Sequence, residues 1–316
     1  MVRLADISNL DLVLVAEAVA DVQKRQIERL EQLRGPADQT ALGLKHDFAL
    51  SLQSQGQFSE AESRLRDVLH IRTRDLGSEH SATLSTKNNL GTTLIDLGRY
   101  TEAEALFTEL LKVQSKVLGS EHPETMKAKS NLGGALIHLG RYPEAEALFT
   151  ELLKVQSTVL GSEHPKTLGT KNNLGATLLN LGRYAEAEAL FTELLKVRSK
   201  VLGSEHPETI RTMSNLSLSK WRQRPHLEAL KLQQEMLEAL TRVLGADHPD
   251  TSEAQLCLAI IFSLPFPALT SDGLDSLRLG SAERVKARLV HFCCHFPPRS
   301  SCRHFLCFGC WDEAVG

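Results

Sequence analysis

Between Gly119 and Gly161 the apolar positions fall into two runs of helical period. In the first, Leu132, Leu136 and Leu139 recur three or four residues apart, with Ala135 among them. In the second, from about residue 143 to 160, Ala145, Leu148, Phe149, Leu152, Leu153 and Val155 give a broad apolar face. Pro123 suits the first position of a helix, where its missing N–H costs nothing, and Glu124 favours the positive end of the helix dipole. Gly140 and Gly161 end the two helices because glycine takes the left-handed conformation at C′, and Lys154 complements the second dipole. No period-two alternation and no Asn-Gly hairpin competes. The pattern predicts an all-α chain of antiparallel helix pairs.

The same pattern returns every 42 residues. Residues 98–113 read GRYTEAEALFTELLKV, 140–155 read GRYPEAEALFTELLKV and 182–197 read GRYAEAEALFTELLKV. In phase with them, LGSEHP stands at 118–123, 160–165 and 202–207, with weaker copies at 76–81 and 244–249. A period of this length means an array in which each unit buries its apolar face only by stacking on its neighbours, a solenoid. Residues 1–35 read as a degenerate leading segment with a helix from Ala18 to Leu33. Residues 36–263 read as the array: a diverged unit (36–77, with Phe58 where Tyr100 stands), three near-copies (78–119, 120–161, 162–203), a decaying unit (204–245) and one more first helix (246–263). In the decaying unit Arg224, Pro225 and His226 replace Gly-Arg-Tyr. Residues 264–316 break the period at Pro265 and Pro267 and read as an irregular Cys-rich tail, with one helix expected over Asp275 to Val290.

Asn-Leu-Gly at 89–91, 131–133 and 173–175, followed by Leu94, Leu136 and Leu178, resembles the first helix of a tetratricopeptide repeat. Gly98, Tyr100, Ala103 and Phe107, with their equivalents, resemble its turn and second helix. The 42-residue period and the LGxxHPxT linker are similar to the long repeats of kinesin light chains. The resemblance implies a superhelical solenoid and a protein-interaction scaffold that takes an extended partner segment in its concave groove, as the cargo-binding repeats do. The chain departs from the family at Lys87, Lys129 and Lys171, where Trp is usual, and at Leu110, Leu152 and Leu194, where a small residue is usual. The 35 residues before the array are shorter than the heptad segment through which kinesin light chains hold the motor heavy chain, so motor association does not follow.

In such arrays the first helices line the concave face. The resemblance therefore makes Asn89, Asn131, Asn173 and Asn215, flanked by Asn88 and Asn172, candidates to bond a peptide backbone, since an Asn amide both donates and accepts. The alternative is that they bond a neighbouring helix. Lys87, Lys129 and Lys171, with Lys127 and Arg211, form a basic row that would favour an acidic partner; the alternative is a solvated face balanced by Glu on the second helices. Thr92, Gly134 and Ala176 argue against capture of chaperone C-terminal tails. His80, His122, His164, His206 and His248 lie in separate units without a second ligand nearby, which favours helix capping over metal binding. The Tyr residues of the three turns read as packing residues.

Cys307 and Cys310 have zinc-ligand spacing, and Cys302 or His304 could complete the set, but no zinc-domain pattern is legible around them. No phosphate loop, GxSxG elbow or HExxH occurs, so no enzyme activity and no cofactor are expected. A net charge of −3 gives no global pull toward nucleic acid or membranes. No apolar run reaches bilayer length, and Asp6, Asp11 and Glu17 interrupt the one N-terminal apolar stretch. All six cysteines lie at Cys257 or later, which suits a reducing, cytoplasmic setting for the array. Beside the scaffold expectation stand two others: a metal or redox role in the tail, and a repeat-array fragment of a multidomain regulator.

Overall fold

The computed structural model describes residues 9–255 apart from 224–226, 247, 249 and 253. Its helices are α1 (Asn9–Arg34), α2 (Gln39–Ser54), α3 (Phe58–Leu76), α4 (Ser81–Asp96), α5 (Tyr100–Val117), α6 (Pro123–His138), α7 (Tyr142–Val159), α8 (Pro165–Asn180), α9 (Tyr184–Val201), α10 (Pro207–Gln223) and α11 (Leu227–Leu244). No strand occurs among the described residues. The leading segment is already helical at Asn9, the first described residue and earlier than the apolar pattern suggested, and its helix ends before Gly35. The Arg224-Pro225-His226 turn and the Cys-rich tail lie outside the described residues.

Each helix pair is delimited by the same local chemistry. Gly119 and Gly161 stand at φ 88° and 95°, Gly140 at 72°, a region where a side chain would be strained. The linker histidine then caps the next helix. Nδ1 of His80, His122, His164, His206 and His248 accepts from the backbone N–H two residues on, each at 3.2 Å. An imidazole with a free Nδ1 lone pair thus does the work of Asn or Ser at an N-cap.

The contacts divide the chain into two compact units, Met1–Thr170 and Lys171–Gly316. In the first, successive helices from α1 to α7 pack side by side, and the first helices α2, α4 and α6 also meet one another. They form one face of the unit and α3, α5 and α7 the other. In the second, α9 packs on α10 and α10 on α11.

Inside a repeat the two helices lock through one contact. Phe107, Phe149 and Phe191 are fully buried. A Cβ placed on Gly91, Gly133 or Gly175 would lie 2.5, 2.5 or 2.6 Å from the ring Cζ of the respective Phe. The Gly of Asn-Leu-Gly is the socket for the Phe of the second helix. On the second-helix face, Arg99 donates to Glu102 in its own repeat and to Glu62 in the preceding one, and Arg141 does the same with Glu144 and Glu104. These ladders are solvent-exposed and hold α3, α5 and α7 in register with little net energy.

Candidate partner-binding face

Each first helix presents a stripe of its own that is never buried. On α4 it comprises Ala82, Ser85, Asn89, Thr92 and Asp96; on α6, Glu124, Lys127, Asn131, Gly134 and His138; on α8, Lys166, Gly169, Asn173, Ala176 and Asn180. The spacing alternates between three and four residues, which keeps the stripe on one side of a helix.

The Asn row stands in the middle of it. Asn89 Nδ2 lies 2.9 Å from His46 Nε2 on α2, and Asn131 Nδ2 donates to Asn88 Oδ1 on α4 at 3.0 Å. In the second unit Asn215 Nδ2 donates to Asn172 Oδ1 at 3.4 Å. Each bond joins adjacent first helices and spends one hydrogen of the amide. An Asn amide has two N–H donors and an oxygen with two lone pairs, so most of the capacity of Asn131 and Asn215 remains, while Asn89 Oδ1 also accepts from Asn88 Nδ2 at 3.3 Å. The side-chain amide of Asn173 has no hydrogen-bond partner among the described residues. Asn88 and Asn172 lie behind the stripe, 2% and 4% exposed.

The lysine row behaves differently. Lys87 and Lys129 are 7% exposed, and their ammonium groups pair with Glu109 and Glu151 on the second helix of the same repeat at 2.6 and 2.7 Å. Lys171 pairs with Glu193 at 2.8 Å. A cation shut between two helices seeks the nearest carboxylate, so these lysines sit where the family's Trp would and fasten the pair. Lys127, by contrast, is exposed on the stripe, and Arg211 is tied to Glu208 at 2.6 Å.

His46 and Asp47 were not legible as site residues, although they stand 42 residues before Asn88 and Asn89 in the same register. His46 Nδ1–H donates to Asp47 Oδ1 at 3.3 Å, which leaves Nε2 as the acceptor for Asn89. Burial pushes the His46 imidazole below its ordinary value; the bond to Asp47 opposes this, and the charges of Arg72 and Lys127 add to it. A folded-state pKa below the unfolded one means the contribution of His46 is fully present above the unfolded value and is lost as pH falls through the folded one. Replacement by Asn, the residue of the next repeat, removes that titration. Wild type is therefore expected to lose melting temperature relative to His46→Asn between about pH 7 and pH 5. Parallel curves for the two proteins would contradict it.

Tyr100 stacks on His138 with ring centroids 4.5 Å apart and planes 5° from parallel, a packing role that joins α5 to α6. Among the described residues no group of His, Cys, Asp or Glu could hold a metal ion; Cys302, His304, Cys307 and Cys310 lie outside them. No described helix is long and apolar enough to cross a membrane.

The models of the tetratricopeptide repeat match residues 39–116, 82–157 and 124–175 in one form and 167–208 and 209–250 in another. No curated protein matches the chain in sequence. Among solved structures, a kinesin light chain-like protein of Podosopora anserina with nearly identical TPR-like repeats is 28% identical, with 64% of this chain and 95% of that one covered and a TM-score of 0.57. BtubC (BKLC) from P. vanneervenii is 18% identical, with 81% and 98% covered and a TM-score of 0.56. The apo form of RapI is 15% identical, with 89% and 70% covered and a TM-score of 0.58. At these identities BtubC and RapI share the fold alone. The matched models, the paired helices and the Gly-in-Phe lock agree, and the chain belongs to the tetratricopeptide repeat family, with 42-residue units of the kinesin light chain type.

Proposed function

We propose that this chain is a protein-interaction scaffold that holds an extended partner segment along its first-helix face. The observation that carries this is the unspent amide capacity of Asn131 in the first unit and of Asn173 in the second, each at the centre of the unburied stripe of its own helix. An extended backbone offers alternating N–H and C=O groups, and a side-chain amide can answer both without reading sequence. The tetratricopeptide fold is typical of interaction scaffolds, and a kinesin light chain-like structure with nearly identical repeats resembles this chain. Lys87, Lys129 and Lys171 have no part in this reading, because each is engaged with a glutamate. Any attraction for an acidic partner rests on Lys127.

The test is capture by the full chain and by its Asn131→Ala/Asn173→Ala variant. Loss of the Asn131–Asn88 bond costs about 1 kcal/mol, so the variant remains folded. Partners retained by wild type and identified by mass spectrometry should be depleted at least about tenfold on the variant. Equal recovery on both, with matching circular dichroism, would remove the first-helix face from the function.

A further inference from the structure

The three near-copies allow an internal comparison, since their sequences are nearly the same. Their second helices (α5, α7, α9) differ only at 101, 114 and 116 and the equivalents. Their first helices (α4, α6, α8) differ far more, and the changes are of two kinds. Behind the stripe most are conservative: Leu84, Met126 and Leu168; Thr86, Ala128 and Thr170; Thr93, Ala135 and Thr177; the exception is Asn88, Ser130 and Asn172. On the stripe they alter charge or size each time: Ala82, Glu124, Lys166; Ser85, Lys127, Gly169; Thr92, Gly134, Ala176; Asp96, His138, Asn180. Only the Asn at its centre is unchanged.

Solvent exposure alone does not account for this. Glu102, Ala105, Thr108 and Lys112 on α5 are exposed, and so are their equivalents on α7 and α9, whereas several stripe positions are half-buried, yet the second-helix residues are identical in all three copies. Drift on an unused surface would have marked both faces. A constant backbone anchor ringed by variable side chains is what sequence reading requires, because each repeat then meets a different residue of the ligand.

The charges of the first unit indicate which residues. Asp47 on α2 is 71% exposed in its side chain, and Asp96 on α4 is exposed, held by Gln53 Nε2 at 2.7 Å. Lys127 on α6 is exposed, beside a stripe left open by Gly134, with His138 beyond it. The unit thus turns from acidic on α2 and α4 to cationic at Lys127, with Glu124 at the outer edge of α6.

We infer that the stripe selects the bound segment repeat by repeat, and that the first unit takes a protein segment of mixed charge, basic over Asp47 and Asp96 and acidic over Lys127. This rests on the first-helix reading above and adds its specificity. Charge pairs at such rims set partner choice more than affinity.

A random linear peptide library displayed on phage, selected against the full chain, provides the test. One variant transplants the α4 stripe onto α6 (Glu124→Ala, Lys127→Ser, Gly134→Thr, His138→Asp), using residues the sister repeat already carries at those places. A control, Lys112→Glu, alters the second-helix face. Wild type and control should enrich peptides carrying both an acidic and a basic residue, and the transplant should bind those peptides at least about tenfold more weakly and enrich peptides without the acidic one. The same peptides with the same affinities on all three chains would overturn the inference. If those peptides are still lost on Asn131→Ala/Asn173→Ala, the groove stands and only its selectivity falls. Enrichment of no peptide by any chain would sink both.

Discussion

Two adjacent glycines on α6 are expected to respond to alanine with opposite signs. Gly134→Ala should raise stability by up to about 1 kcal/mol, and Gly133→Ala should lower it by about 1–2 kcal/mol. The helical preference for Ala over Gly is the same at both sites. At Gly134 a new Cβ meets nothing within 4 Å, so the preference is realised. At Gly133 the Cβ would lie 2.5 Å from Cζ of Phe149, whose ring is fully buried between helices and cannot retreat. Overpacking of this kind costs about 1–3 kcal/mol and outweighs the preference. Phe149→Ala removes the ring and should cost about 3–5 kcal/mol through lost burial and the cavity left behind. The two sites are coupled: in a Phe149→Leu background Gly133→Ala should turn neutral or stabilising. Urea unfolding followed by circular dichroism reads each of these variants, with Phe149→Leu alone as the reference for the double change. If Gly133→Ala stays as destabilising in the Phe149→Leu background as in wild type, the socket is not the cause.

This lock shows where reading the sequence reached and where it stopped. Helix ends were legible because their signals are local: Pro123 at a first position, Gly140 and Gly161 past a last one, His122 before a helix start. The Asn-Leu-Gly motif was legible as a pattern, but the reason for its Gly lies sixteen residues on, in a Phe on the other helix. The same distance problem affected the lysines. Lys87 and Glu109 repeat at a constant separation of 22 residues, and nothing in that spacing reveals that helix packing brings them together. Charged residues are usually solvated, so a periodic lysine reads as surface. The Asn row was legible through its register, and bonds between neighbouring first helices engage Asn89, Asn131 and Asn215, while partner binding by the same amides is the proposal made above. His46 and Asp47 were missed because the diverged first repeat hides the register that would have aligned them with Asn88 and Asn89.

Arg198 exposes the same blind spot at a site of larger consequence. Its guanidinium is 2% exposed, and Nη1 donates to Glu208 O at 2.9 Å and to Thr212 Oγ1 at 2.7 Å, while Nη2 donates to Glu208 Oε2 at 2.8 Å. Arg72 makes the corresponding joint in the first unit, with Ala82 O and Thr86 Oγ1. At the equivalent places stand Gln114 and Gln156, also buried. Where Arg stands, the position joins the end of one repeat to the start of the next; Gln114 and Gln156 fill the same place with their amide oxygens buried and without a hydrogen-bond partner among the described residues. Arg198→Ala should cost about 3 kcal/mol, from a void between α9 and α10 and from a carbonyl and a hydroxyl left without their charged donor. The ion pair with Glu208, which is 38% exposed in its side chain, supplies only a minor part. Arg198→Gln, the side chain of the sister repeats, keeps much of the volume and an amide donor, so its loss should be about half as large. Trp221 on α10 is a local reporter, and Trp311→Phe leaves it as the sole tryptophan. Its fluorescence change in urea should shift to lower denaturant in the order Gln then Ala. Equal midpoints for Arg, Gln and Ala would mean that the buried guanidinium does not hold this joint.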